Sequence, residues 1–160
     1  MAWLGTLFLF LHIGGAIVAF GPTIAFPFLA ARAAKEPAHG NFVLRTTEWL
    51  TEKVVEPGAV FVFLMGVGVI LTRGHNPFQE GWLALAIILF VITLGFSYGV
   101  QLPVLRKMVA LTSQPPLPSA DGPPGPPPGF VELSGRAARG GQFMSLMLVA
   151  ILFLMVAKPF

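Results

Sequence analysis

The sequence predicts an all-α membrane protein, a four-helix transmembrane bundle with both termini on the outer side. Three observations lead there. Hydrophobic residues make up 55% of the 160-residue chain and charged residues only 11%, where a soluble domain carries about 25% charged residues to wet its outside. Four apolar segments are each long enough to cross the hydrocarbon as a helix, which takes about 20 residues. Lysine and arginine gather in alternate connections, as the positive-inside rule requires of a multi-pass protein.

The first segment, residues 3–31, holds no Asp, Glu, Lys or Arg. It lacks a basic start and far exceeds the apolar core of a signal peptide, about 7–15 residues, so a cleaved signal is not expected. Gly21-Pro22 and Pro27 should kink or loosen its second half, which neighbouring helices tolerate inside a bundle.

The second segment covers residues 54–72 and includes one acid, Glu56, next to Pro57. Residues 46–55 read as a polar helical lead-in. Glu48, Glu52 and Glu56 recur every fourth residue and so share one helix face. Pro57 breaks the hydrogen-bond ladder where the chain enters lipid. The third segment, residues 81–105, is free of charge, and Gly95 and Gly99 form a GxxxG pattern that lets another helix approach closely. The fourth, residues 140–157, is the shortest and crosses with little tilt.

The connections differ in kind. A short turn with Asn76-Pro77 joins the second and third segments. Residues 112–135 form a Pro/Gly-rich flexible loop, with eight of the chain's 15 prolines between Pro115 and Pro128. Such a stretch has too few apolar groups to build a core and reads as a solvated tether. Residues 1–160 are then one membrane domain. Arg32, Lys35, Arg45 and Lys53 lie between the first two segments, and Arg106, Lys107, Arg136 and Arg139 between the last two. Only Arg73 and Lys158 lie on the other side, which puts the loop of residues 112–135 in the cytoplasm and both termini outside.

The net charge of +3 and pI of about 9.8 do not indicate nucleic acid. The basic residues sit at the ends of apolar runs, where they meet anionic headgroups. With no cysteine, thiolate metal sites and thiol nucleophiles are excluded. No phosphate loop or HExxH supports nucleotide or metallopeptidase chemistry, so the reading leans away from an enzyme. Gly14-Gly15 and Gly66-Val67-Gly68 lie within spans and are packing positions.

His12 is the only histidine inside a span, near mid-bilayer. Gly5, Phe8, Gly15, Ala16 and Ala19 share its helix face, a small-residue stripe suited to a tight helix–helix seam. An imidazole there either ligates a haem iron or metal, relays protons, or bonds to a carbonyl or hydroxyl across the seam. Met65 and Met147, at similar depth, are the other axial-ligand candidates or core filler. Glu56 either carries protons or binds substrate at the cytoplasmic entrance, or pairs with Lys53, Arg45 or Arg106. Ser97, Tyr98 and Gln101 make a modest polar patch in the inner half of the third span, or simply bond across to another helix. Arg106 and Lys107 anchor its end or cradle an anionic headgroup or propionate.

The run Leu11-His12-Ile13-Gly14-Gly15-Ala16, then Phe20-Gly21-Pro22 and Phe26-Pro27-Phe28-Leu29-Ala30, resembles a family of small bacterial predicted integral membrane proteins, domain-of-unknown-function family 2269. The likeness extends through residues 48–57 to Leu105-Arg106-Lys107. It implies an architecture more than an activity, and placement in the bacterial inner membrane. More distantly, the layout is similar to HemJ-type protoporphyrinogen oxidases and the membrane domain of copper-resistance protein D. That likeness, which Trp82 at the start of the third span also fits, implies haem b binding with His12 as axial ligand. The third span departs from the oxidase pattern by having no interior lysine or histidine.

Three functions follow, in order: a packing or accessory subunit, a haem-binding or redox-associated protein using His12, and a small transporter component using Glu56 and His12. The partners expected are the lipid bilayer and other membrane subunits or a second copy of the chain.

Overall fold

A computed structural model describes residues 2–113 and 126–159. Every regular element among them is helical. The first rod joins α1 (Ala2–Phe20) to α2 (Phe26–Lys35) through a 3₁₀ turn, Gly21–Ala25. The second joins α3 (Gly40–Leu50) to α4 (Glu56–Arg73) through a π turn, Thr51–Val55. The third joins α5 (Gly81–Phe96) to α6 (Leu102–Thr112) through another π turn, Ser97–Gln101. The fourth is α7 (Phe130–Ala157) alone.

All four rods are long and apolar enough to span a membrane, and the first three have 32–34 residues. At 1.5 Å per residue that is roughly 50 Å, well beyond a hydrocarbon core of about 30 Å. Most of the apolar surface faces outward, as lipid requires: Phe10 is 70% exposed, Leu71 77% and Val156 77%. Residues 114–125, which hold most of the prolines of the expected flexible loop, lie outside the described residues. The last part of that loop differs from expectation. Residues 130–135 already belong to α7, because Gly129 takes a positive φ of 79° and starts the helix directly.

The prolines explain the breaks. Pro22 and Pro27 cannot donate backbone hydrogen bonds, and the chain relieves this with the 3₁₀ turn. Pro57 and Pro103 each follow a π turn, where one inserted residue widens the helix ahead of the ring. The second of these falls inside the third span.

Packing proceeds by pairs: α1 lies along α4 and α5 along α7, while α3 and α6 join the pairs at one end. Because lipid is as apolar as leucine, close packing rather than water exclusion holds such helices together. Between α5 and α7, Trp82, Leu83, Ala86 and Leu154 form a buried cluster, with Lys158 Nζ 5.2 Å over the Trp82 ring. Phe63 of α4 stacks on Phe90 of α5 at 5.6 Å. At the other end, Asn41 donates to Thr112 at 2.8 Å and to Ser113 at 3.1 Å.

The turn between α4 and α5 is built from its side chains. Gly74 caps α4 in the left-handed region, φ 72°. Glu80 accepts the Asn76 backbone N–H at 3.1 Å and the His75 Nδ1–H at 2.9 Å. The Asn76 amide first, then the His75 contact, hold the Glu80 carboxyl below its ordinary value of 4.5.

Candidate functional site

The seam between α1 and α4 runs on the residues expected from α1. Gly5 and Ala19 are buried, and Phe8, His12, Gly15 and Ala16 are half-buried along the same face. The partner face of α4 is cut from glycine. A Cβ on Gly58 would lie 2.6 Å from the Ala19 Cβ, and one on Gly68 would strike the Phe8 ring. A Cβ on Gly66 would stand 3.0 Å from His12 Cε1 and 3.1 Å from Nδ1. Gly66 and Gly68 are thus packing positions, and Gly66 makes the room in which His12 sits.

His12 Nδ1 lies 2.8 Å from the carbonyl of Val62. A carbonyl only accepts, so Nδ1 carries the proton and Nε2 the lone pair. The imidazole is a seam residue that bonds across to the neighbouring helix. An axial haem ligand would need Nε2 to face a slot wide enough for a macrocycle. Gly66 lies against the Cε1–Nδ1 edge of the ring, and His12 is absent from the lining of the two grooves beside Phe143 and beside Phe61. The bond to Val62 fits a histidine that ties the seam together.

Glu56 stands where the breaks converge. It is the first residue of α4, directly after the π turn, and is 2% exposed. Ser97, 3% exposed and first in the other π turn, donates Oγ–H to Glu56 Oε1 at 3.2 Å. Two of the three cations expected beside Glu56, Lys53 and Arg106, go elsewhere. Lys53 sits 2.7 Å from Glu52, and Arg106 lies 3.1 Å from Glu52 and 3.8 Å from Glu48. Glu48 and Glu52 face the exposed guanidinium while Glu56, further along the same face, turns into the bundle.

The π turns also release backbone oxygens. The Glu56 N–H bonds to the Thr51 carbonyl, and Pro57 has no N–H. Neither the fourth nor the fifth amide onward therefore serves the Glu52 carbonyl. Leu102 bonds to Ser97 in the same way ahead of Pro103, so neither the fourth nor the fifth amide onward serves the Tyr98 carbonyl. A buried carboxyl, a hydroxyl and two helices with released carbonyls can together hold a proton or pass one on.

The polar patch of the third span does not stay together. Ser97 joins Glu56, Gln101 donates Nε2–H to the Ala137 carbonyl of α7 at 3.2 Å, and Tyr98 is 46% exposed on the outside. Gln101 reaches α7 because Gly140 has no side chain in its way. A methyl group added at Gly95 or Gly99 of the GxxxG pattern would meet nothing within 4 Å, so no other helix among the described residues rests on them. The cross-helix bonds of Ser97 and Gln101 follow one of the two readings of the patch; the second π turn and the choice of Glu56 as partner are what sequence reading misses, and Pro103 is the signal that marks the turn.

No curated protein and no solved structure matches the chain. The family model described as "Predicted integral membrane protein (DUF2269)" matches residues 6–159. That match takes in all four rods and the Glu56–Ser97 contact between them, and the chain belongs to this family of integral membrane proteins.

Proposed function

We propose that this protein is a small proton-handling component of the membrane, with Glu56 as its working group. The observation that carries the reading is the hydrogen bond from Ser97 to a carboxyl that is 2% exposed within a spanning rod. Ionisable groups at such depth are expensive and mark proton or ion pathways. With Lys53 and Arg106 held by Glu52, Glu56 is free to change its charge without breaking an ion pair. As the carboxylate it accepts from Ser97. As the acid it would need an acceptor such as the Glu52 carbonyl, which the π turn and Pro57 deprive of its usual helix partner.

The test is proton flux into proteoliposomes loaded with a pH-sensitive dye. Flux above that of protein-free vesicles, abolished by Glu56→Gln, is the expected result. Equal flux from the wild type and empty vesicles, or an unaffected Glu56→Gln variant, would refute it.

A second reading, a packing or accessory subunit, is favoured by the open Gly95/Gly99 face. Stoichiometric co-purification of another membrane protein, lost on Gly99→Leu, supports it. The Lys and Arg distribution supports both termini on the outer side of a bacterial inner membrane. Terminal reporters active only outside the cytoplasm check that orientation.

A further inference from the structure

A shallow groove of about 320 Å³ runs between the third rod and α7. Its floor is the ring pair of Phe96 and Phe143, whose centroids lie 4.8 Å apart. Val100 and Val104 form one wall. Arg136, Arg139 and buried Gly140 form the other. On α7 the positions 136, 139, 140 and 143 share one face, so the groove is graded along the helix, cationic at one end and aromatic at the other. The two ends are roughly 10 Å apart, seven residues at 1.5 Å each.

The arginines are not equivalent. Arg136 is neutralised by Glu132 at 2.7 Å. Arg139 makes only a 3.3 Å bond from Nε to the Gly135 carbonyl, and no carboxylate among the described residues pairs with it. A guanidinium with no carboxylate partner among the described residues thus stands at the mouth of a largely apolar trough.

We infer that this groove is a binding site for one anionic phospholipid, with the phosphate on Arg139 and an acyl chain laid over Phe96 and Phe143. Charge complementarity selects the headgroup, since a guanidinium bonds phosphate through paired N–H groups. The apolar end selects an amphiphile over a free anion. The site is independent of Glu56 and survives if the proton reading fails.

Native mass spectrometry of the detergent-purified full chain tests it, with phosphatidylglycerol, phosphatidylcholine and inorganic phosphate as probes. The expected result is one phosphatidylglycerol held in preference to phosphatidylcholine, with affinity about fivefold lower in Arg139→Gln, the worth of one basic residue at an anionic surface. Arg139→Lys should restore part of it, and Val100→Trp, which fills the trough, should remove it with Arg139 intact. Arg32→Gln, at an exposed arginine paired with Glu36, should leave it unchanged. Equal retention of both lipids, unchanged binding in Arg139→Gln, or inorganic phosphate competing as well as the lipid would each overturn the assignment.

Discussion

His12 donates its Nδ1 proton to the carbonyl of Val62 at 2.8 Å, and the ring lies against Gly66, whose missing side chain makes the space. The relationship ties a polar group to a glycine on the facing helix. It places the α1–α4 seam under two demands at once, close approach and hydrogen-bond satisfaction.

Glycine at the seam is a packing requirement, and the demand varies by position. Gly58→Ala drives a methyl to 2.6 Å from the Ala19 Cβ and should destabilise the protein by about 1–3 kcal/mol. Gly14→Ala, with nothing within 4 Å, should be neutral or gain up to about 1 kcal/mol from helix propensity. Thermal unfolding of both variants in one detergent measures the contrast. Equal losses would mean that the helices are not apposed along this face.

Loss of the imidazole should be a matter of stability. His12→Ala removes one cross-helix hydrogen bond, worth about 0.5–1.5 kcal/mol, and leaves a void beside Gly66. Protein purified from haem-replete cells should show no Soret absorbance, in the wild type as in the variant. A Soret band that vanishes in His12→Ala would overturn the seam assignment.

The Ser97–Glu56 bond joins the two π turns, so its loss should be felt beyond one side chain. Ser97→Ala takes the donor from a buried carboxyl and should cost about 1–3 kcal/mol. Adding Glu56→Gln should recover part of that loss, because a neutral amide leaves no buried acid without a donor. A double-mutant cycle on unfolding free energies reads the coupling; additive effects would show that the two groups do not interact.

Glu80 should make the turn between α4 and α5 acid-sensitive. Its carboxyl is held below the ordinary 4.5 by the Asn76 amide and His75. A folded-state value lowered in this way adds stability that is fully present above about 4.5, the unfolded value, and lost as pH falls through the folded value. In Glu80→Gln the melting temperature should lose that part of its acid dependence. Parallel wild-type and variant curves between neutral pH and pH 3 would contradict the assignment.

Much of this was legible in sequence, for reasons of period and composition. Charge-free runs gave the four spans. The recurrence of Gly5, Phe8, His12, Gly15 and Ala19 at helical spacing gave the seam, since small residues on one face have few other uses in lipid. What escaped was everything set by register between helices. Lys53, Arg45 and Arg106 lie near Glu56 in depth, yet the pairing turned on which carboxylate of the face looks outward. That face winds through a π turn, whose inserted residue rotates it by roughly 100°, and Arg106 meets Glu52 instead. The start of α7 was hidden for a different reason. Arg136 and Arg139 interrupt the hydropathy without interrupting the helix.

The irregular points of the rods share one level. Ala19, just before the 3₁₀ turn, touches Gly58; Glu56 and Ser97 join the two π turns; Gln101 lies against Gly140 of α7. The departures from regular α-helix thus form one belt, with regular helix on either side of it. Any bend in the three broken rods therefore has its identifiable causes gathered at one level, beside the buried carboxyl of Glu56.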